Sequence, residues 1–148
     1  MKNKKILISK EIKKPYFSVI TVVKDDEKNI IKTLKSIKNQ TYTNFEYIII
    51  DGNSEDKTIQ KLMKFKKQIN YLLSEKDNGI YFAMNKGLKI SKGKIIIFVN
   101  SGDMLTKNAL KIIKQKFDYH KFDFVFGTVK RHYTKAVSYT HLTLPTTT

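Results

Sequence analysis

Apolar positions in this chain fall into short continuous runs separated by stretches with helical spacing, and that alternation of two periods marks an α/β protein. The segments Phe17–Val23, Glu46–Ile50, Tyr71–Ser74 and Ile95–Val99 read as strands, rich in β-branched and aromatic residues and bounded by turn formers. Between them, Ile30, Ile31, Leu34 and Ile37 share one helical face, Ile59, Leu62, Met63 and Ile69 a second, and Ile80, Ala83, Met84 and Leu88 a third. Asp25 or Asp26 caps the first helix, which stops near Gln40; Gly93 closes the third. A last helix is expected over about 107–117, and Phe122–Phe126 makes a fifth candidate strand before Gly127. Right-handed crossovers between such units give a largely parallel sheet with helices on both faces.

Two strands end in polar turns that change this picture from fold to chemistry. Ile48-Ile49-Ile50 runs into Asp51-Gly52-Asn53-Ser54, and Ile95 to Val99 runs into Asn100-Ser101-Gly102-Asp103. Parallel sheets bind ligands outside the carboxyl ends of their strands, where Asp51 and Asp103 are expected to lie. The same residue types are also ordinary turn and N-cap formers, so either turn alone supports both readings.

The chain has 148 residues, 41% of them hydrophobic, which suits one domain with a sizeable core. It has no cysteine, which excludes disulfides and thiolate metal sites. Residues 1–14 form a basic extension in which only Ile6-Leu7-Ile8 follows the opening lysines, too short for an export signal. No apolar run approaches the length of a bilayer span. The expectation is a cytoplasmic protein, soluble or peripheral on the inner face of the membrane. The formal charge of +16 is carried by lysines scattered along the chain, which reads as solvated surface, with attraction to anionic headgroups or nucleotide phosphates as a secondary effect.

After Lys135 the composition changes. Residues 136–148 hold no lysine and end Leu144-Pro145-Thr146-Thr147-Thr148, resembling translated sequencing-adapter read-through; they are expected to be a non-native tail, and His141 is not taken as a ligand.

Taken in order, the motifs Phe17-Ser18-Val19-Ile20-Thr21-Val22-Val23, Ile50-Asp51-Gly52-Asn53-Ser54-Glu55-Asp56-Lys57-Thr58, Lys76-Asp77-Asn78-Gly79-Ile80-Tyr81, Ala83-Met84-Asn85-Lys86-Gly87 and Asn100-Ser101-Gly102-Asp103 resemble the amino-terminal half of family 2 glycosyltransferases. The resemblance implies a GT-A fold, Rossmann-like, over residues 15–135 and cut short on its carboxyl side. It also implies transfer of a sugar from a nucleoside diphosphate donor, a uridine nucleotide by preference, to a glycan or lipid-linked acceptor in bacterial surface polysaccharide synthesis. On that resemblance Thr21 and Val23 line the base pocket and Asp51 accepts a hydrogen bond from base or ribose. Asp77 and Gly79 close over the nucleotide, and Asn85 and Lys86 contact phosphate and sugar. Asn100 and Asp103 take the place of the family's metal motif, with Mn²⁺ or Mg²⁺ neutralising the diphosphate leaving group.

Several positions depart from the family pattern. Gly102 leaves Asp103 as the single carboxylate of its turn; Phe82 stands where relatives often carry Asp, and Met84 where others carry Arg. An inverting transferase needs a general base, and neither Asp118 nor Asp123, a helix-end and a strand residue, fits that role. The chain is therefore expected to bind nucleotide without turnover. The competing expectation, a non-catalytic nucleotide or nucleic-acid binder driven by basic charge, predicts strongly salt-dependent binding.

Overall fold

The computed structural model describes residues 5–119, 128–134 and 137–143. Their contacts divide the chain into two compact units, one of residues 1–31 and 44–101 and the other of residues 32–43 and 102–148.

The first unit holds a five-stranded sheet in the order β1-β4-β3-β2-β5, made of β1 (Lys5–Ser9), β2 (Phe17–Val23), β3 (Phe45–Asp51), β4 (Tyr71–Ser74) and β5 (Ile95–Phe98). The four strands expected from the apolar runs are all present and mutually parallel, and β2 and β3 pair in register from Phe17 with Phe45 to Val23 with Asp51. β2 is buried along its whole length, as a strand covered on both faces should be. The fifth member, β1, was not expected. It pairs antiparallel on the edge of β4, and of its two outer isoleucines only Ile8 is buried while Ile6 stays exposed, which blurs any alternation in the sequence.

Helix α3 (Ile80–Ile90) packs on β2 and β3, with Ala83 beside the cluster Ile20, Val22, Ile48, Ile50 and Leu73. Its close approach depends on Gly87, where a Cβ would lie 2.6 Å from Ile20 Cγ2. Helix α2 is shorter than its pattern suggested, Thr58–Met63; the chain then turns through hydrogen bonds from Phe65 to Leu62 and from Gln68 to Phe65, while Ile69 remains buried.

At the amino ends of the strands a buried carboxylate fixes the loop between α3 and β5. Glu46 accepts hydrogen bonds from Ser18 Oγ at 2.5 Å and from the Lys92 amide at 2.6 Å, and Ser18 Oγ accepts one from the Gly93 amide at 2.7 Å. A Cβ on Gly93 would lie 2.3 Å from Ser18 N and 2.5 Å from Phe17 C, both backbone atoms. Gly93 therefore does not end α3, which is closed at Ser91, but lets the loop touch the sheet.

Helix α1 (Ile30–Lys38) begins in the first unit and continues into the second. In the second unit Gln40, almost fully buried, donates to Ser36 O and Thr106 O and accepts from the Leu110 amide. These bonds end α1 and seat α4 (Ala109–Tyr119), whose start and end both lie two residues beyond the expected ones. A second sheet of order β6-β8-β7 joins β6 (Asp103–Leu105), β8 (Val137–Thr143) and β7 (Thr128–Thr134). Residues 137–143, set apart by composition, thus have strand backbone; valine, tyrosine and threonine are strand formers whatever precedes them. The expected strand Phe122–Phe126 lies outside the described residues. Among the described residues no helix is long and apolar enough to cross a membrane.

The contacts rank two glycines by what would meet a side chain. Gly93→Ala must displace backbone and is expected to cost about 3 kcal/mol or more; Gly87→Ala meets the end of an isoleucine and is expected to cost about 1–2 kcal/mol. Urea unfolding of both variants checks this order; equal midpoints would contradict it.

Candidate nucleotide-binding site

The carboxyl ends of β2, β3 and β4 lie at one level, because register places Val23 beside Asp51 and Asp51 beside Ser74. Beyond that level is a cavity of about 230 Å³ lined by Val22, Val23, Lys24, Asp77, Gly79, Ile80 and Ala83. Its walls are apolar side chains of β2 and α3; its polar groups are Lys24 and Asp77. Gly79 lies at its rim with φ 119°, a conformation that favours glycine, and starts α3 without a side-chain cap. The Asp77 carboxylate accepts the Gly79 amide at 3.2 Å through Oδ1.

Of the residues expected to meet a ligand, Val23, Asp77 and Gly79 do line this cavity. Thr21 and Asp51 do not. Thr21 is fully buried, its hydroxyl donating to Val99 O at 2.7 Å and accepting from the Tyr47 phenol at 3.0 Å. Burial pushes the Tyr47 phenol above its ordinary range, so it stays a neutral donor to Thr21. Asp51 is also fully buried: Oδ1 accepts from Ser54 Oγ, and Oδ2 from the Ser54 amide at 3.0 Å and Ser74 Oγ at 2.7 Å. Its position at the strand end was legible, but its direction was set by two serines that sequence reasoning passed over. Asn85 is exposed on α3 away from the lining residues, and Lys86 is paired with Glu75 at 3.2 Å. Lys24, Ile80 and Ala83 were not singled out as site residues; their signal was position, just after a parallel strand and along the first turn of the helix that follows the acidic turn.

The two loops at this end of the first unit clasp each other. Ser54 Oγ accepts the Asp25 amide at 2.8 Å, Asp25 Oδ1 the Glu55 amide at 2.7 Å, Thr58 Oγ1 the Asp26 amide at 3.0 Å and Asp56 Oδ2 the Glu27 amide at 3.0 Å. In return Glu27 Oε2 accepts the Lys57 amide at 3.0 Å. Asp25 and Asn53 reach these positions with φ 48° and 64°, which short polar side chains tolerate better than others. Asp25, Glu27 and Asp56 serve as acceptors for loop amides. Burial pushes the Asp56 carboxyl up, but the hydroxyl and amide of Thr58 and the amide of Glu27 outweigh it and hold the carboxyl below the ordinary carboxylate range.

The two residues expected at the metal turn fall in different units. Asn100, in the first, has a buried Oδ1 with no hydrogen-bond partner among the described residues, while the next residue, Ser101, donates to Asp26 Oδ2 at 2.6 Å. Asp103, in the second, opens β6 half-buried, and burial alone raises its carboxyl above the ordinary range. Among the described residues no three histidines, cysteines or carboxylates gather into a metal-binding group.

A cleft outside the carboxyl ends of parallel strands is where such sheets take ligands, and residues 18–147 match glycosyl transferase family 2. The chain belongs to that family. It is 31% identical over 119 residues to the poly(ribitol-phosphate) beta-N-acetylglucosaminyltransferase TarS of Staphylococcus aureus, covering 77% of this chain and 21% of TarS. It is 30% identical over 111 residues to the UDP-Glc:alpha-D-GlcNAc-diphosphoundecaprenol beta-1,3-glucosyltransferase WfgD of Escherichia coli, covering 74% of this chain and 44% of WfgD. The chain thus spans less than half the length of these relatives. The crystal structure of TarS 1–349 with UDP-GlcNAc superposes with a TM-score of 0.65 at 31% identity, over 71% of this chain and 32% of that one, which establishes the GT-A fold. A Pyrobaculum calidifontis mannosyltransferase in complex with GDP-Man and Mn²⁺ shares the fold at 21% identity, with a TM-score of 0.55 over 66% of this chain and 31% of that one.

Because the folded Asp56 carboxyl lies below its unfolded value of about 3.9, its contribution is complete above that pH and is lost as pH falls through the folded value. Asp56→Asn should therefore lower the urea midpoint at pH 6 and flatten its fall between pH 4 and 3. A variant curve parallel to that of the wild type over that interval would contradict the clasp.

Proposed function

We propose that this chain is the donor-binding part of a glycosyltransferase that takes a sugar from a uridine diphosphate donor and passes it to a glycan or lipid-linked acceptor in surface polysaccharide synthesis. The observation that carries the reading is the cavity at the ends of β2 and α3, with Val23, Asp77 and Gly79 on its wall, in a chain that shares 31% identity with the UDP-GlcNAc complex of TarS. Apolar walls suit the faces of a base, and the uncapped start of α3 presents amides to an anion. The acceptor is taken by analogy with that of WfgD, and a lipid-linked acceptor would bring the chain to the inner face of the membrane, where a net charge of +16 favours anionic headgroups.

A divalent cation belongs to the same reading. The buried Oδ1 of Asn100, without a hydrogen-bond partner among the described residues, is an oxygen open to a donor or a cation, and Asp103 follows three positions on in the sequence. Both are hard oxygen donors of the kind Mg²⁺ and Mn²⁺ take. Each offers a single oxygen-bearing side chain, which would suit a cation that draws its remaining ligands from the nucleotide. When bound, the cation neutralises charge on the diphosphate leaving group; the chain's own residues hold the base and position the phosphates.

Titration calorimetry tests both halves. UDP should bind on the order of 10 μM with Mn²⁺ present and at least about tenfold more weakly in EDTA, and Asp103→Ala should bind in Mn²⁺ as the wild type does in EDTA. Equal affinities with and without metal would remove the cation from the reading. Absence of UDP binding, with salt-sensitive binding of DNA instead, would favour a basic nucleic-acid binder.

A further inference from the structure

We propose that Asp77, rather than Asp51, is the carboxylate that reads the nucleobase, by accepting the N3–H of a uracil ring. This rests on the donor-binding reading above and assigns the residue that sets base preference within it.

Asp51 is buried and does not line the cavity. Its two oxygens take three hydrogen bonds from Ser54 and Ser74, and none of its surface reaches solvent. Turning it toward a base would strand those donors, at about 1–3 kcal/mol for each one left buried and unpaired. Asp77 is in the opposite condition. It lines the cavity, spends Oδ1 on the Gly79 amide, and has no hydrogen bond at Oδ2 among the described residues.

Gly52 explains why a carboxylate from the turn after β4 can stand there. A Cβ at position 52 would lie 3.3 Å from Asp77 Oδ2 and 3.3 Å from the Lys24 Cβ and Cδ atoms. The residue following Asp51 therefore borders the space of Asp77, and its lack of a side chain leaves room for the side chains of Asp77 and Lys24 beside it. The turn after β3 presents no acidic side chain at this point; the turn after β4 does.

An ionised carboxylate only accepts hydrogen bonds. Uracil offers N3–H between two carbonyls, whereas cytosine presents a bare N3 acceptor at the same place, so one base pairs with Asp77 and the other sets two acceptors face to face. A site that hydrogen-bonds one edge rejects an analogue lacking the donor because its own polar group is left unpaired. The ring faces would meet Val22, Val23, Ile80 and Ala83, which carry no hydrogen-bond code; of the two polar side chains on the wall Lys24 only donates, and Asp77 is the acceptor for N3–H. Were Asp77 a turn residue alone, its Oδ1 bond to Gly79 would suffice and the cavity would show no preference between the two pyrimidines.

Calorimetric titration of UDP and CDP into the wild type, Asp77→Asn, Asp77→Ser and Asp51→Asn, each with its melting temperature, tests the assignment. The wild type should prefer UDP by about tenfold or more. Asp77→Asn, whose amide both donates and accepts, should bring the two nucleotides within about threefold, and Asp77→Ser should lose UDP affinity without gaining CDP affinity. Asp51→Asn should melt lower and keep the UDP preference. Retention of the preference in both Asp77 variants, or its loss in Asp51→Asn at an unchanged melting temperature, overturns the proposal while UDP binding by the wild type upholds the donor reading. A wild type that binds neither nucleotide overturns both.

Discussion

The buried carboxylate of Asp51 is the constraint on which this end of the first unit depends. A charge withdrawn from water is tolerated only when its oxygens are filled, and here Ser54 and Ser74 fill them. Satisfying Asp51 ties the end of β3 to the end of β4 and fixes the turn that carries Ser54. The same Ser54 hydroxyl accepts the Asp25 amide, so the constraint passes to the loop after β2 and from there, through Asp56 and Glu27, to the start of α2. The cavity wall inherits its shape from that chain of bonds: Val23 and Lys24 lead into the clasped loop, and Gly52 and Asp77 meet beside it.

A second buried carboxylate works at the other end of the strands. Glu46 holds Ser18 and the Lys92 amide, and Gly93 closes the contact by admitting backbone where no side chain fits. The first unit is thus pinned at both ends of its sheet by acids turned inward. With only 13 acidic residues against 29 lysines and arginines, a good part of the acid inventory is used for loop geometry, and the lysines are left to the surface.

The resemblance to family 2 glycosyltransferases is fullest along the sheet and departs at positions expected to meet ligand. Phe82 stands exposed on α3, and the turn from Asn100 to Asp103 holds one carboxylate, Asp103. Asn100 preserves an oxygen at the strand end and brings no charge. A site with fewer fixed charges leaves more of the binding to shape, to the base and to whatever cation travels with the phosphates.

By itself the sequence determined the four parallel strands, the helices between them and the level at which the strands end in polar turns, because runs of β-branched residues and helical spacing record burial directly. It determined the family through motifs spread over residues 15 to 130, and residues 18–147 match it. It did not show β1, where one isoleucine is buried and one exposed, nor β6, three residues long. Nor did it show which way Thr21 and Asp51 point. Only tertiary structure decided that, since a hydroxyl or carboxylate turns toward whichever partners the neighbouring strands supply. Tyr47, Ser54 and Ser74 supplied them from inside, and Asp77, 26 residues beyond Asp51 in the chain, was left facing the cavity.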